Sequence, residues 1–406
     1  MRIVDRELGF RIFIYFLFFA FVQGRINDFR EDSECPEGCL CEEEDTLFCN
    51  NLDISRVPNF WPTHYRRIIL RNSSLTTLHK NSFRKFKFLE ELKIEENFQL
   101  DVIDKYAFKG LQKLRFLSLT KNPKLAQIYK STFSGIGNEQ SLKIHLKQNG
   151  LQQIGPYSFK NLNNVRELSI EDECIFLQSN SLSSISVLDF VFITGACSLS
   201  PETFSNTTRV HNLHISKSKF NLTTRAFAGL SHVNHILIQN NQIPEIFEDT
   251  FGGSSTIGNI QIQTNKIGNL NPRAFVSTEN LGTVVFTQNV IENPLSSPEC
   301  ILNDAQRFVF ADNTVFCGCP MKWIQYYTDR MFLKENFCGR EEAFKSLIYF
   351  EPQNCPTERL PVVRTTTPPE PVPEPYFPSN SGGTLTSKVS LLIFTFAQVS
   401  FRSIFI

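Results

Sequence analysis

The chain has no net charge, no apolar run long enough to cross a bilayer and no motif pairing a nucleophile with a base. Its 41 Lys and Arg balance 41 Asp and Glu over 406 residues. It therefore lacks the basic excess with which a nucleic-acid binder neutralises phosphates, and the expectation is no nucleic-acid partner. The two apolar stretches, residues 12–22 and 389–401, fall short of the roughly 20 residues that a helix needs to span hydrocarbon. No Gly-rich phosphate loop or paired-carboxylate arrangement stands out, so the expectation is a protein that is not an enzyme and needs no cofactor.

What is present is a repeat. Ile236-x-Ile238-x-x-Asn241-x-Ile243-x-x-Ile246-x-x-x-x-Phe251 recurs 24 residues on as Ile260-x-Ile262-x-x-Asn265-x-Ile267-x-x-Leu270-x-x-x-x-Phe275. A short strand explains the Ile-x-Ile pair, since alternate side chains point to one side and into a narrow core. The Asn bends the chain away, and its amide can partner backbone groups that the bend frees. One such coil cannot hide its apolar face alone, so coils must stack. Strand pairs are predicted to begin at Ile68, Leu92, Leu117, Ile144, Leu168, Leu188, Leu213, Ile236, Ile260, Val284 and Phe308. Asn holds the bend at 97, 122, 149, 241, 265, 289 and 313, whereas Glu173, Ile193 and Ser218 stand there mid-chain. A closing Phe follows in most repeats, but none occupies that place after Leu168.

This pattern resembles the leucine-rich repeat family. The resemblance implies an α/β solenoid, a horseshoe of about eleven repeats over residues 67–315 with a parallel concave β-sheet and disulfide caps at both ends. Eleven Cys lie mostly near the two ends of the array, which suits an oxidising compartment. Four of them, Cys35, Cys39, Cys41 and Cys49, permit three pairings and could also ligate zinc. Residues 35–66 are similar to the N-terminal cap of extracellular leucine-rich repeat proteins, which implies Cys35 with Cys41 and Cys39 with Cys49. Residues 316–358 resemble the C-terminal cap of that family in Cys317-Gly-Cys319, Trp323, Cys338 and Cys355. That likeness implies Cys317 with Cys338 and Cys319 with Cys355. Cys174 and Cys197 fall just past adjacent strands where the Asn series breaks, and a disulfide is expected to staple that stretch. Cys300 is left over as a small buried apolar residue.

Residues 1–24 place Arg2, Arg6 and Arg11 before a short apolar core and a small-residue end, the order of a secretory signal peptide. Residues 361–380 form a Pro- and Thr-rich stalk. Residues 381–406 run from a polar spacer to an apolar tail, the order of a glycosylphosphatidylinositol-attachment propeptide, with Asn380 or Ser381 as the attached residue. The expected location is the outer face of the plasma membrane, with a secreted or single-pass membrane protein as the alternative. Sequons at Asn72, Asn206 and Asn221 mark glycan positions, the last two in one repeat whose surface they would shield.

Outward strand residues are the candidate binding surface. In the N-terminal half they are charged, and the register sets Arg67 against Glu91, Arg71 against Glu95, Lys143 against Glu167 and Lys147 against Glu171. Strands about 4.8 Å apart let these charges satisfy one another. Further along, Asn212, His214, His235, Leu237, Gln239, Asn259, Gln261 and Gln263 carry no charge, and charge is depleted at interface centres, so a partner is expected there. His211 and His232 are placed in turns ahead of His214 and His235, which leaves no four-ligand metal set. The resulting expectation is a cell-surface protein that binds an extracellular or cell-surface protein through its concave sheet, in adhesion or as a receptor or co-receptor. It would meet the membrane through a lipid anchor, with a homodimer as a further option. The competing expectation is a secreted innate-immune protein binding microbial glycolipid.

Overall fold

The computed structural model describes residues 35–43, 45–137, 141–162, 164–297, 304–339 and 345–352. The expected signal peptide, stalk and attachment propeptide with Asn380 and Ser381, together with Cys300 and Cys355, lie outside the described residues.

Short apolar-alternating segments become strands, and they add to one sheet in chain order. A cap hairpin, β1 (Cys39–Glu42) and β2 (Thr46–Asn50), starts it antiparallel. The parallel run follows: β3 (Arg67–Arg71), β4 (Glu91–Glu95), β5 (Phe116–Thr120), β6 (Leu142–Lys147), β7 (Val165–Leu177) and β8 (Val187–Leu199). It continues through β9 (Thr207–Ser216), β10 (Leu230–Gln239), β11 (Thr256–Gln263), β12 (Asn280–Thr287) and β13 (Ala305–Ala311). The chain returns through turns and strands of two to five residues, such as Gln242–Ile246 and Lys266–Leu270. The C-terminal end carries the α-helix α1 (Arg330–Glu335), capped by Asp329 accepting from the amides of Met331 and Phe332. The described residues thus form a parallel β-solenoid with few helices, consistent with the expected leucine-rich repeat horseshoe.

Three interior ladders lock the repeats. Inward pairs such as Ile236 with Ile238 and Ile260 with Ile262 are fully buried. Behind them the rings of Phe83, Phe108, Phe133 and Phe159 stack at 5.9, 5.7 and 4.8 Å, and those of Phe204, Phe227, Phe251 and Phe275 at 6.1, 4.7 and 4.8 Å. At the bends each Asn side chain accepts from the preceding Asn's backbone N–H: Asn97 to Asn122, Asn122 to Asn149, and Asn241 through Asn265, Asn289 and Asn313 to Asn336. Asn336, beside α1, ends the series and was not marked by the repeat pattern.

The middle departs from the predicted register. Leu168 pairs with Val191, which pairs with Leu213, so the inward pair of β8 is Val191 and Ile193, not Leu188 and Phe190. Leu188 belongs to another apolar column, with Val165, Val210 and Val233, three residues ahead of each pair. The bend residue of this repeat is Ala196, not Ile193. One repeat earlier Asp172, not Glu173, fills the ladder, its carboxylate accepting from the amides of Asn149 at 3.1 Å and Gly150 at 2.8 Å. Ser218 continues the ladder, accepting from the Ala196 amide and donating its own amide to Asn241. The break therefore narrows to the step from Asp172 to Ala196. There β7 and β8 extend past the usual bend, pairing as far as Leu177 with Leu199, and Cys174 is bonded to Cys197. The Phe stack skips the same repeat: Leu182 takes the place, flanked by the fully buried Ser181 and Ser183, whose hydroxyls have no partner among the described residues.

Disulfides also join Cys35 to Cys41, Cys39 to Cys49 and Cys317 to Cys338. Cys319 is disulfide-bonded as well.

Candidate functional site

The outward residues of the long sheet line up in three rows fixed by strand register. One row reads Glu167, Phe190, Asn212, His235, Asn259 and Thr283 across β7 to β12. The next reads Ser169, Phe192, His214, Leu237, Gln261 and Val285, and the third Glu171, Thr194, Ser216, Gln239, Gln263 and Thr287. All eight uncharged residues expected to meet a partner lie in these rows.

The N-terminal charges only partly face one another as expected. Lys143 reaches Glu167 at 3.7 Å and Lys147 reaches Glu171 at 3.9 Å. Arg67, although level with Glu91, turns back to Glu43 and Asp45 of the cap, where two carboxylates compete with one. Arg71 leaves Glu95 for Glu96 at 2.7 Å, and Lys93 takes Glu91 within its own strand at 2.6 Å. His145 holds Glu167 at 2.8 Å and meets the edge of Phe116 at 4.9 Å. The cations of the charged half are thus internally paired, each exposed pair worth at most about 1 kcal/mol.

Between the charged and neutral halves lies a feature that the sequence reading placed inside the core. Phe190 is 40% exposed, and its ring lies parallel to that of Phe192 at 6.3 Å. Phe192 meets the edge of His214 at 5.9 Å. Burial holds His214 below its ordinary pKa and the neighbouring His235 adds to that, while burial alone lowers His235. Both imidazoles are therefore neutral near pH 7. Beyond them Gln261 donates to Gln263, which donates to Gln239 at 2.8 Å. His214 Nε2 and Asn259 Oδ1 are buried without a partner among the described residues. His211 and His232 lie within β9 and β10, not in turns, and His211 pairs with Asp189 at 3.2 Å. A spacing signal could have exposed Phe190: Leu188 and Val191 repeat the three-residue offset of Val210 and Leu213.

The sequons lie off this face. Asn206 precedes β9 and Asn221 follows it, both exposed and outside the three rows, and Asn72 is exposed beyond β3.

The three rows together present a tiled sheet of aromatic, amide and imidazole groups. Residues 63–123 match the family model for the leucine rich repeat, and residues 186–295 match the model described as the BspA type leucine rich repeat region (6 copies). The chain is a leucine-rich repeat protein with disulfides near its N-terminus. Mouse podocan is 27% identical over 64 residues, 16% of this chain, and the match spans a tenth of podocan's length. In solved structures the chain is similar to one in the octameric complex of latrophilin 3, Unc5D and FLRT2, at 13% identity and a TM-score of 0.39, covering 75% of this chain and 92% of that one. It is also similar to human 5T4, the trophoblast glycoprotein, at 16% identity and a TM-score of 0.29, covering 78% of this chain and 98% of that one.

Proposed function

We propose that this chain is an extracellular recognition protein that binds another protein through its concave sheet, in cell adhesion or as a receptor or co-receptor. One observation carries the reading: the exposed ring of Phe190, parallel to the half-buried ring of Phe192 and beside neutral His214, His235 and Leu237, sits where the paired charges end. Aromatic side chains with little charge around them are what interface centres are made of. The cap disulfides suit an oxidising compartment. The signal peptide, glycans at Asn72, Asn206 and Asn221, and a lipid at Asn380 or Ser381 complete the proposal, with residues 35–66 and 316–358 as caps and 361–380 as a stalk.

The test is capture of cell-surface interactors by the full chain displayed on cells. Phe190→Ala with Phe192→Ala should weaken the captured partner by more than about tenfold, as loss of an interface hot spot does. Lys93→Ala, inside the paired half, should change it by less than about twofold. Equal losses would sink the reading. Phosphatidylinositol-specific phospholipase C should release the displayed chain, and full retention would refute the lipid anchor.

A further inference from the structure

Zero net charge describes a sum, not a distribution. On the turns opposite the long sheet, the backbone N–H of Asn81 donates to Tyr106 O, Tyr106 N–H to Ser131 O and Ser131 N–H to Tyr157 O, each at 3.0 Å. All four residues adopt left-handed backbone, with φ from 58 to 63°. This ladder fixes the register of successive turns. The residue before each member then forms one column and the residue three after it another.

The first column reads Lys80, Lys105 and Lys130, and the second Arg84, Lys109 and, two turns on, Lys160. All six are exposed, and none has a carboxylate partner among the described residues. The nearby Asp104 is taken by the His79 ring at 3.3 Å and the Lys80 amide. The buried phenylalanine rings of these turns are 4.8–5.9 Å apart, which sets the repeat distance of the columns. Past Lys160 neither column holds a cation, and the first carries Glu248 on the turn of Asp249.

Aromatic rings prop the ammonium groups. Lys80 and Lys109 lie 5.9 and 5.5 Å from the Tyr106 ring centroid, and Lys130 and Lys160 lie 5.5 and 5.9 Å from that of Tyr157. Such contacts hold a cation in place without neutralising it. They also occupy ring faces that a single-stranded nucleic acid would need for base stacking. A lipid surface fits less well, because interfacial binding wants apolar side chains projecting beside the cations, and here the rings lie under them.

We propose that this turn face binds a sulfated glycosaminoglycan, a linear polyanion laid across successive repeats so that each turn presents cations to its sulfates. The choice of a sulfated polysaccharide rests on the extracellular reading above, but not on what docks at the concave sheet.

The test measures binding of the full-length chain to immobilised heparin. At about 0.15 M salt, Lys105→Ala/Lys109→Ala/Lys130→Ala should lower affinity at least about tenfold and flatten the log–log salt dependence by about 2, on the order of 0.7 per lost contact. Lys219→Ala/Arg225→Ala/Arg273→Ala, removing as many cations from later turns, should change affinity less than about twofold. An equal loss in the second variant would overturn the proposal, as would equal binding of fully desulfated heparin. Tighter binding to phosphatidylserine-containing vesicles or to a single-stranded oligonucleotide, with the same dependence on the three lysines, would also overturn it. The lysine variant should still capture the concave-face partner, so either reading can fail alone.

Discussion

Replacing Asn265 by Ala asks whether the interior amide ladder holds the solenoid together. Asn265 is 2% exposed. Its Nδ2 donates to Ile238 O at 2.9 Å and to Asn289 Oδ1 at 3.1 Å, and its Oδ1 accepts from Asn241 N–H at 2.9 Å and Asn241 Nδ2 at 3.0 Å. Some partners have a second contact: Asn241 Nδ2 keeps Ile215 O, and Asn289 Oδ1 keeps the Asn265 backbone N–H. The Asn241 backbone N–H and the Ile238 carbonyl lose a buried side-chain partner. At about 1–3 kcal/mol for each buried polar group so deprived, the expected loss is about 2–6 kcal/mol.

Urea unfolding followed by circular dichroism reads this as a lowered midpoint at similar slope. Asn265→Asp should cost as much, because a carboxylate keeps the acceptors but has no hydrogen to donate and is buried. Asn280→Ala, on an exposed side chain, should stay within about 0.5 kcal/mol of the parent. An Asn265→Ala loss under about 1 kcal/mol would mean that apolar stacking alone holds the repeats, and the account of the ladder would be wrong.

Cys174→Ala with Cys197→Ala should lower stability by about 3 kcal/mol in the chain-entropy estimate, and a midpoint unchanged from the parent would refute a stapling role. Because burial holds His214 and His235 below the ordinary value of 6.5, the unfolded chain takes up protons first, so stability is full above pH 6.5 and declines as pH falls below it. His214→Gln with His235→Gln should flatten that decline, and parallel pH profiles for parent and variant would refute it. Asn→Gln at 72, 206 and 221 should each remove one step of the mobility shift produced by peptide N-glycosidase on secreted protein, and an unchanged ladder of bands would rule out glycan at that position.

The repeat period, the parallel pairing and the inward residues of ten of the eleven long parallel strands were readable because a strand with one buried side must alternate, and a shift of one residue exposes its apolar set. The exception is instructive. Around β8 both Leu188 with Phe190 and Val191 with Ile193 satisfy alternation, since two apolar columns run three residues apart. Alternation alone could not choose, and the choice moved Phe190 from the core to the centre of the candidate site. Side-chain rotation was equally illegible: Arg67 is level with Glu91, yet a long flexible side chain swings to whichever carboxylates lie within reach. Asn336 escaped because it caps the ladder from outside the repeat.

A solenoid separates chemistry by offset within the repeat. The amide ladder and the left-handed turns keep each offset in register, so every outward position becomes a row crossing many repeats. Composition averages over those rows and hides them. Equal numbers of acids and bases are compatible with a charge-paired stripe at Lys143 and Glu167, a neutral aromatic row at Phe192 and His214, and an unpaired cationic column at Lys80, Lys105 and Lys130. Neutrality of the whole therefore cannot exclude a polyanion from one face. What decides is how many free cations share an offset, because a linear ligand crossing the repeats meets one row at a time and feels that row's charge, screened from the rest within about 8–10 Å.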